Sequence, residues 1–489
     1  MCHFRPIHYS RWILTLLIVS ACWFDASSVF AQATLNLVNG APELAEPSTA
    51  ALIDGDADSG HVVCSATLIA CDAAITTAHC FNLNVASKNL LFFQHAGFVA
   101  IESATRHPAY VAAFPPNFPD FDVLRVEDIA FIKLAEPVTG ITPSTVVQFA
   151  PPALGTAGKI VGFGRDPITA QSPAGLDDNA GLKRSGTMTI EACEGSLVGE
   201  DVLCWHPPDP PDILGPAGED VSTCDGDSGG PLFVDEGGVR VVAGITKGAV
   251  YISSGQSDLC EPPVDPFDTN VDRHRGWIQG VDGQGGMIEV MGALPAFEKE
   301  CGAIAQLPEL VTSGDLFGDC DATDWSLSPE PRTCGFTGFL DIGGTSSAAR
   351  SFPVPSGTTL MRVAFNGVAS ASNAVDTNYY LRASTPATTT EFDCAASGPG
   401  TVGFCEFSDP TDGTWHTLID QTLYQGEYQV TVTLFGPDWE VAPPPEVPSL
   451  DSRVRMLLIG SMSCLLFLAL GRHRRSRGQA GPHNGSHPR

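Results

Sequence analysis

Short apolar runs, each cut off within a few residues by glycine or proline, recur through most of this 489-residue chain. Segments such as GKIVGFG (158–164) and VRVVAGI (239–245) are rich in residues that suit a pleated sheet. Fifty glycines and 38 prolines break up longer helices. Between Leu37 and Asp282 only VDRHRGWIQ (271–279) reads as a helix of any length. The pattern predicts an all-β chain built from barrels or sandwiches, and the length exceeds one core and predicts two or three domains. From 316 to 440 the runs TLMRVAFNGV and YQVTVTLFG again alternate like sandwich strands. The intervening 283–315, rich in Gly, Ala and Pro, reads as a linker.

The two ends read differently. Arg5 and Arg11, the apolar run WILTLLIVSACWF and Ala31-Gln32-Ala33 fit a signal peptide over 1–33 with an A-x-A cleavage site. At the other end a Pro-rich linker (441–450) precedes the segment 451–489. There MLLIGSMSCLLFLALG is followed by Arg472, Arg474, Arg475 and Arg477, giving one short hydrophobic helix with a basic flank. This tail resembles the C-terminal sorting signals of bacterial surface proteins. The resemblance implies a second partner class, the sorting or processing machinery that would act on the tail; a plain single-pass anchor is the alternative. Either way the chain is exported, to the medium or the cell surface.

Setting aside 1–33 and 451–489, which hold nine Arg and two Asp, leaves 17 basic and 54 acidic residues. Such a surface repels phosphate and excludes nucleic acid as a partner. Of fifteen cysteines, Cys2, Cys22 and Cys464 lie in the two end segments, so the exported part keeps twelve. An even number in an oxidising compartment favours disulfides over metal ligation. The acidic IDGDADSG (53–60) lacks the glycine at the sixth position of a calcium loop and the glutamate at the twelfth, and reads as a surface loop. Neither a metal nor a cofactor is expected.

The stretch CDGDSGGPL (224–232) puts Ser228 among glycines, and a serine hydroxyl is a nucleophile only when a base and an orienting group accompany it. CSATLIACDAAITTAHC supplies His79 beside Cys80, and RVEDIAFIKLAEPV supplies Asp128 ahead of an apolar strand. These three motifs, in this order, resemble the trypsin-like (chymotrypsin-fold) serine proteases. The resemblance implies a double six-stranded β-barrel over 37–282 and an endopeptidase acting on proteins or peptides. His79 would be the general base, Asp128 its orienting carboxylate and Ser228 the nucleophile. The N–H groups of Gly226 and Ser228 would form the oxyanion hole. It further implies the disulfides Cys64–Cys80, Cys193–Cys204 and Cys224–Cys260. In the second region NYYLRAS, FDCAASGPGTVGFCEFSDPTDGTWHTLID and GEYQVTVTL resemble the pre-peptidase C-terminal domain of secreted bacterial proteases, a β-sandwich over 316–440. That implies a Cys394–Cys405 bridge. Parity suggests that one further bridge joins the two regions, from Cys71 to Cys301.

By the same resemblance Ser222 lies at the base of the specificity pocket, which favours aromatic or large apolar side chains over Lys or Arg. The wall segments AGITKGAV (243–250) and DPFDTNV (265–271) are each one residue short of the family pattern. Two readings stay open: Phe267 narrows the pocket, or Asp268 returns a negative charge to it. LNLVNGAP (35–42) resembles a mature N-terminus. Its Leu37 amine would pair with Asp227 after removal of a three-residue propeptide, 34–36, making the chain a zymogen. The rival is a catalytically silent pseudoprotease or adhesion protein.

Overall fold

The computed structural model describes residues 39–113 (except 58 and 83–86), 127–146, 150–165, 180–193, 201–207, 217–251, 260, 264–281, 316–317, 332–340, 346–367, 377–396, 402–421 and 426–436. Both apolar end segments, Leu37, Cys301 and the linker 283–315 lie outside these residues. Among the described residues no helix is long and apolar enough to cross a membrane.

Six antiparallel strands, Thr49–Asp54, His61–Ala70, Ala73–Thr76, Leu90–Phe93, Gly97–Arg106 and Ala130–Leu134, form a closed barrel. Closure leaves no unpaired strand edge, and Leu52, Leu68, Phe81, Leu91, Phe93 and Ile132 fill the interior. The next body is an eight-stranded sheet. Its path runs Ala41–Pro42, Arg184–Thr189, Ala157–Gly162, Pro231–Glu236, Val239–Tyr251, Val264–Asn270 and Val202–Cys204, and Thr145–Val146 adds in parallel to Val239–Tyr251. Ile160, Leu232, Phe233, Val241, Ile245 and Trp205 belong to its core. Segment 271–279 forms a 3₁₀ turn, Val271–His274, running into the helix Arg275–Val281.

A buried ionic network holds the N-terminal segment to this sheet. Lys159 pairs with Glu43 at 2.7 Å and Glu46 at 3.5 Å, Arg240 pairs with Glu46, and Ser185 donates to Glu43 at 2.6 Å.

The C-terminal region is a sandwich. Strands Leu316–Phe317, Arg332–Leu340, Gly426–Phe435, Leu360–Gly367 and Val402–Ser408 make one sheet; Ser346–Val354, Gly413–Gln421, Thr377–Ala383 and Cys394–Ala396 make the other. Met361, Val363, Phe365, Val430, Val432 and Leu434 meet Tyr379 and Trp415 between the sheets. A strand of period two turns its alternate residues to the opposite face, and here that face is covered as well. Arg362, Ala364, Asn366, Gln429, Thr431, Thr433 and Phe435 are all buried.

What covers them is the protease-like half. Ala364, Val402 and Phe404 cluster with Ala51, Ile53, Phe92 and Phe163, and any side chain at Gly97 would run into the Phe404 ring. Polar pairs complete the contact. Arg362 donates to the carbonyls of His95 (3.0 Å) and Thr139 (2.7 Å), Gln94 to Gln429 (2.7 Å), and Arg184 pairs with Glu427. Cys71 and Cys334 are both disulfide-bonded.

His95 is fully buried in this contact, its Nδ1 3.0 Å from the Thr433 hydroxyl and its Nε2 3.2 Å from the Leu44 carbonyl. A neutral ring satisfies both, with Nε2–H donating and Nδ1 accepting. Burial, with the Lys183 and Arg362 charges, pushes its pKa down to about 3. The unfolded ring titrates near ~6.5, so below that pH the unfolded chain takes up a proton the native state refuses. The His95 contribution is present above ~6.5 and declines as pH falls toward 3. The urea midpoint is expected to drop between pH 6.5 and 4 with a steeper slope for the wild type than for His95→Gln.

Candidate active site

The barrel strand Ala73–Thr76 ends in a one-turn 3₁₀ helix, Ala78–Phe81, that carries His79. The Cys64–Cys80 disulfide fastens this turn to the strand His61–Ala70. Asp128, fully buried just before the strand Ala130–Leu134, engages His79 twice: Oδ2 lies 2.7 Å from Nδ1 and Oδ1 accepts the backbone N–H at 2.9 Å. A carboxylate only accepts, so the Nδ1 position carries the proton and Nε2 keeps a free lone pair. The His79 side chain is 23% exposed, so the ring is reachable from outside while its Asp128 partner is not. Thr269 donates to the Asp128 carbonyl at 3.0 Å. Burial and the Asp128 charge push the Tyr110 hydroxyl up to about 12.

Ser228 sits in a loop that only glycines allow. Gly226 and Gly229 have φ of +96° and +88°, where an L side chain is strained. A methyl at Gly226 would press on the Gly164 Cα, and one at Gly229 would overlap the Thr76 hydroxyl and the Ser65 carbonyl. The loop is pinned across to the barrel. Ser65 N–H donates to the Ser228 carbonyl at 2.8 Å and the Ser65 hydroxyl to the Gly226 carbonyl at 2.9 Å. The Ser228 carbonyl also lies 3.8 Å from Cys80 Sγ, next to His79.

Asp227 is 1% exposed, and its carboxylate accepts the N–H groups of Gly164 (2.8 Å) and Cys224 (3.0 Å). Its proposed partner, Leu37, lies outside the described residues. Asn39 donates to the Glu219 carbonyl at 2.6 Å, three residues before Ser222.

Ser222, Phe267 and Asp268 are all buried. The pairing of Val239–Tyr251 with Val264–Asn270 shifts register between Thr246 and Gly248. Lys247 occupies that bulge, its Nζ 5.7 Å above the Phe267 ring. Phe267 packs on Cys204, where the Cys193–Cys204 bridge braces the same strand. Cys224–Cys260 closes the other side, and Cys394–Cys405 lies in the sandwich. Among the described residues the Ser222 hydroxyl and both Asp268 carboxylate oxygens find no partner in hydrogen-bond geometry. Burial pushes the Asp268 carboxyl well above the usual range, offset in part by the facing Thr246 hydroxyl.

Cys64, His79 and Cys80 offer ligand atoms within 4.8 Å of one another, but both sulfurs are spent in the disulfide, so the group does not suit a metal. Ser65, Thr76 and Thr269 carry no motif of their own, so their support of the site is visible only in three dimensions. Gly229→Ala is expected to lower stability by about 3 kcal/mol or more, combining overlap with an unfavourable φ, measured by denaturant titration.

Residues 39–262 match the family model described as Trypsin. The chain is 27% identical to the platelet-aggregating proteinase PA-BJ of Bothrops jararaca over 231 residues, 46% of this chain and 86% of that protein. It is 27% identical to the snake venom serine protease serpentokallikrein-1 of Protobothrops mucrosquamatus over 260 residues, covering 52% and 90%. It is also 29% identical to the fibrinolytic enzyme, isozyme C, of Lumbricus rubellus over 237 residues, covering 44% and 86%. With this agreement of sequence, fold and local geometry, the chain carries a trypsin-like serine protease domain and is a serine endopeptidase of that type.

Proposed function

We propose that this endopeptidase is exported and cleaves peptide bonds through His79, Asp128 and Ser228 by an acyl-enzyme route. The observation that carries the reading is the pair of hydrogen bonds from His79 to Asp128, which turns Nε2 away as the base, in a fold that ties the Ser228 loop to the same barrel. In acylation His79 Nε2 takes the Ser228 proton as Oγ attacks the carbonyl carbon, and then returns it to the leaving amine. Asp128 stabilises the imidazolium in between. The N–H groups of Gly226 and Ser228 receive the carbonyl oxygen as it becomes negative. Water, deprotonated by His79, then releases the acid product and regenerates Ser228.

A fluorophosphonate probe tests this directly. The processed protein is expected to gain one adduct, on Ser228, and Ser228→Ala none; absence of an adduct on folded wild type would favour the silent pseudoprotease. Asp128→Asn is expected to keep the fold and lower kcat by about 10⁴, since the ring then rests in the wrong tautomer.

Of the two readings of the pocket, the complete burial of the Asp268 carboxyl, which a cation beside it would offset, favours charge. A Lys or Arg side chain at the cleavage site would supply the missing counter-charge. Peptide-library profiling is expected to show cleavage after Lys or Arg, and Asp268→Asn to reduce it at least about tenfold relative to cleavage after Phe or Leu. A wild-type preference for Phe or Leu would return the pocket to the apolar reading.

A further inference from the structure

We infer that Asn366, on the C-terminal sandwich, is a positioning residue for the oxyanion loop, so that the sandwich is part of the catalytic apparatus rather than an appendage. The inference rests on the endopeptidase reading above and concerns how its oxyanion hole is held.

Asn366 is completely buried on the sheet face that packs against the protease domain. Its Nδ2 donates to the Gly181 carbonyl at 3.0 Å, and its Oδ1 accepts from Gln94 of the barrel at 3.2 Å. Gly181, at φ +135°, passes the connection on, its N–H donating to the Phe163 carbonyl at 2.9 Å. Phe163 N–H donates to the Ser65 hydroxyl at 3.0 Å, and that hydroxyl donates to the Gly226 carbonyl at 2.9 Å. The same short segments form the ledge behind Gly226. A methyl there would lie 2.9 Å from the Gly164 Cα and 3.4 Å from the Ala180 Cβ, and Gly164 N–H holds Asp227.

Two strands of backbone, 163–164 and 180–181, therefore form the rear wall of the loop that carries Gly226 and Ser228. A glycine at positive φ has no side chain with which to anchor itself. The Asn366 amide supplies that anchor from outside the protease domain. Oxyanion donors act by being in place before charge develops, so loosening the ledge acts on turnover more than on substrate binding.

The test uses the full, processed chain. The values of kcat and KM on a chromogenic peptide amide, together with Tm, are compared for wild type, Asn366→Asp, Asn366→Leu and Thr433→Val. Asn366→Asp keeps an acceptor for Gln94 and removes the donor to Gly181 by exchanging one group, which guards against failure of the Leu variant to fold. Thr433→Val deletes another buried interface hydrogen bond, the one to His95, that has no connection to the ledge. Expected is a fall in kcat of about tenfold in the Asn366 variants with KM within about twofold, and wild-type kcat in Thr433→Val despite a lowered Tm. Wild-type kcat in folded Asn366 variants, or an equal loss in Thr433→Val, overturns the inference. Absence of Ser228-dependent turnover in the wild type defeats the endopeptidase reading first and this inference with it.

Discussion

Everything at the candidate centre hangs on Ser65. This buried residue in the strand His61–Ala70 reaches the carbonyls of Ser228 and Gly226 with its N–H and hydroxyl, while its own carbonyl accepts the Thr76 hydroxyl at 2.7 Å. Phe163 N–H completes its valence. Two bodies of independent topology, a closed barrel and an eight-stranded sheet, are thus registered to each other at Ser65, and again where Thr269 donates to the Asp128 carbonyl. His79 and Asp128 come from the barrel and Ser228 from the loop before Pro231–Glu236. Their relation is only as exact as that registration. A larger residue at 65 has no room, because the site is fully enclosed, and a smaller one leaves a buried donor and acceptor unpaired, which costs about 1–3 kcal/mol for each such group.

The residues proposed to do the chemistry announced themselves in the sequence because each sits in a local signature. Here the base lies in a disulfide-braced turn, the carboxylate just before a strand, and the serine among glycines that let the backbone fold tightly. Those signatures lie within a few residues of His79, Asp128 and Ser228. The sandwich strands were legible for the same reason, since YQVTVTLFG alternates with a period of two.

The supports were not legible, because they arise between residues far apart in the chain. Asn366 and Gly181 are 185 positions apart, and Gln94 and Gln429 are 335 apart. The polar residues of the alternating strands also mislead. Gln429, Thr431 and Thr433 alternate with apolar neighbours, yet all three are buried, and Gln429 and Thr433 face Gln94 and His95 of the other half. Buried polar surface of that kind is stable only when its donors and acceptors are paired, and no periodicity distinguishes it from an exposed one. The pocket was obscure for a different reason. A one-residue bulge at Lys247 changes which side chains face each other without changing the composition of the strand.

The burial of both faces of the five-stranded sheet has a consequence for how this protein ages. A cut in 302–315 severs the chain between its halves but not the apolar cluster of Phe92, Phe163 and Ala364, nor the buried amide pairs beside it. The product is a nicked heterodimer held as the intact chain was. Two fragments on a denaturing gel would then mark a change in covalent history rather than a loss of native assembly, and intact mass alone would misjudge how much functional protein a sample holds.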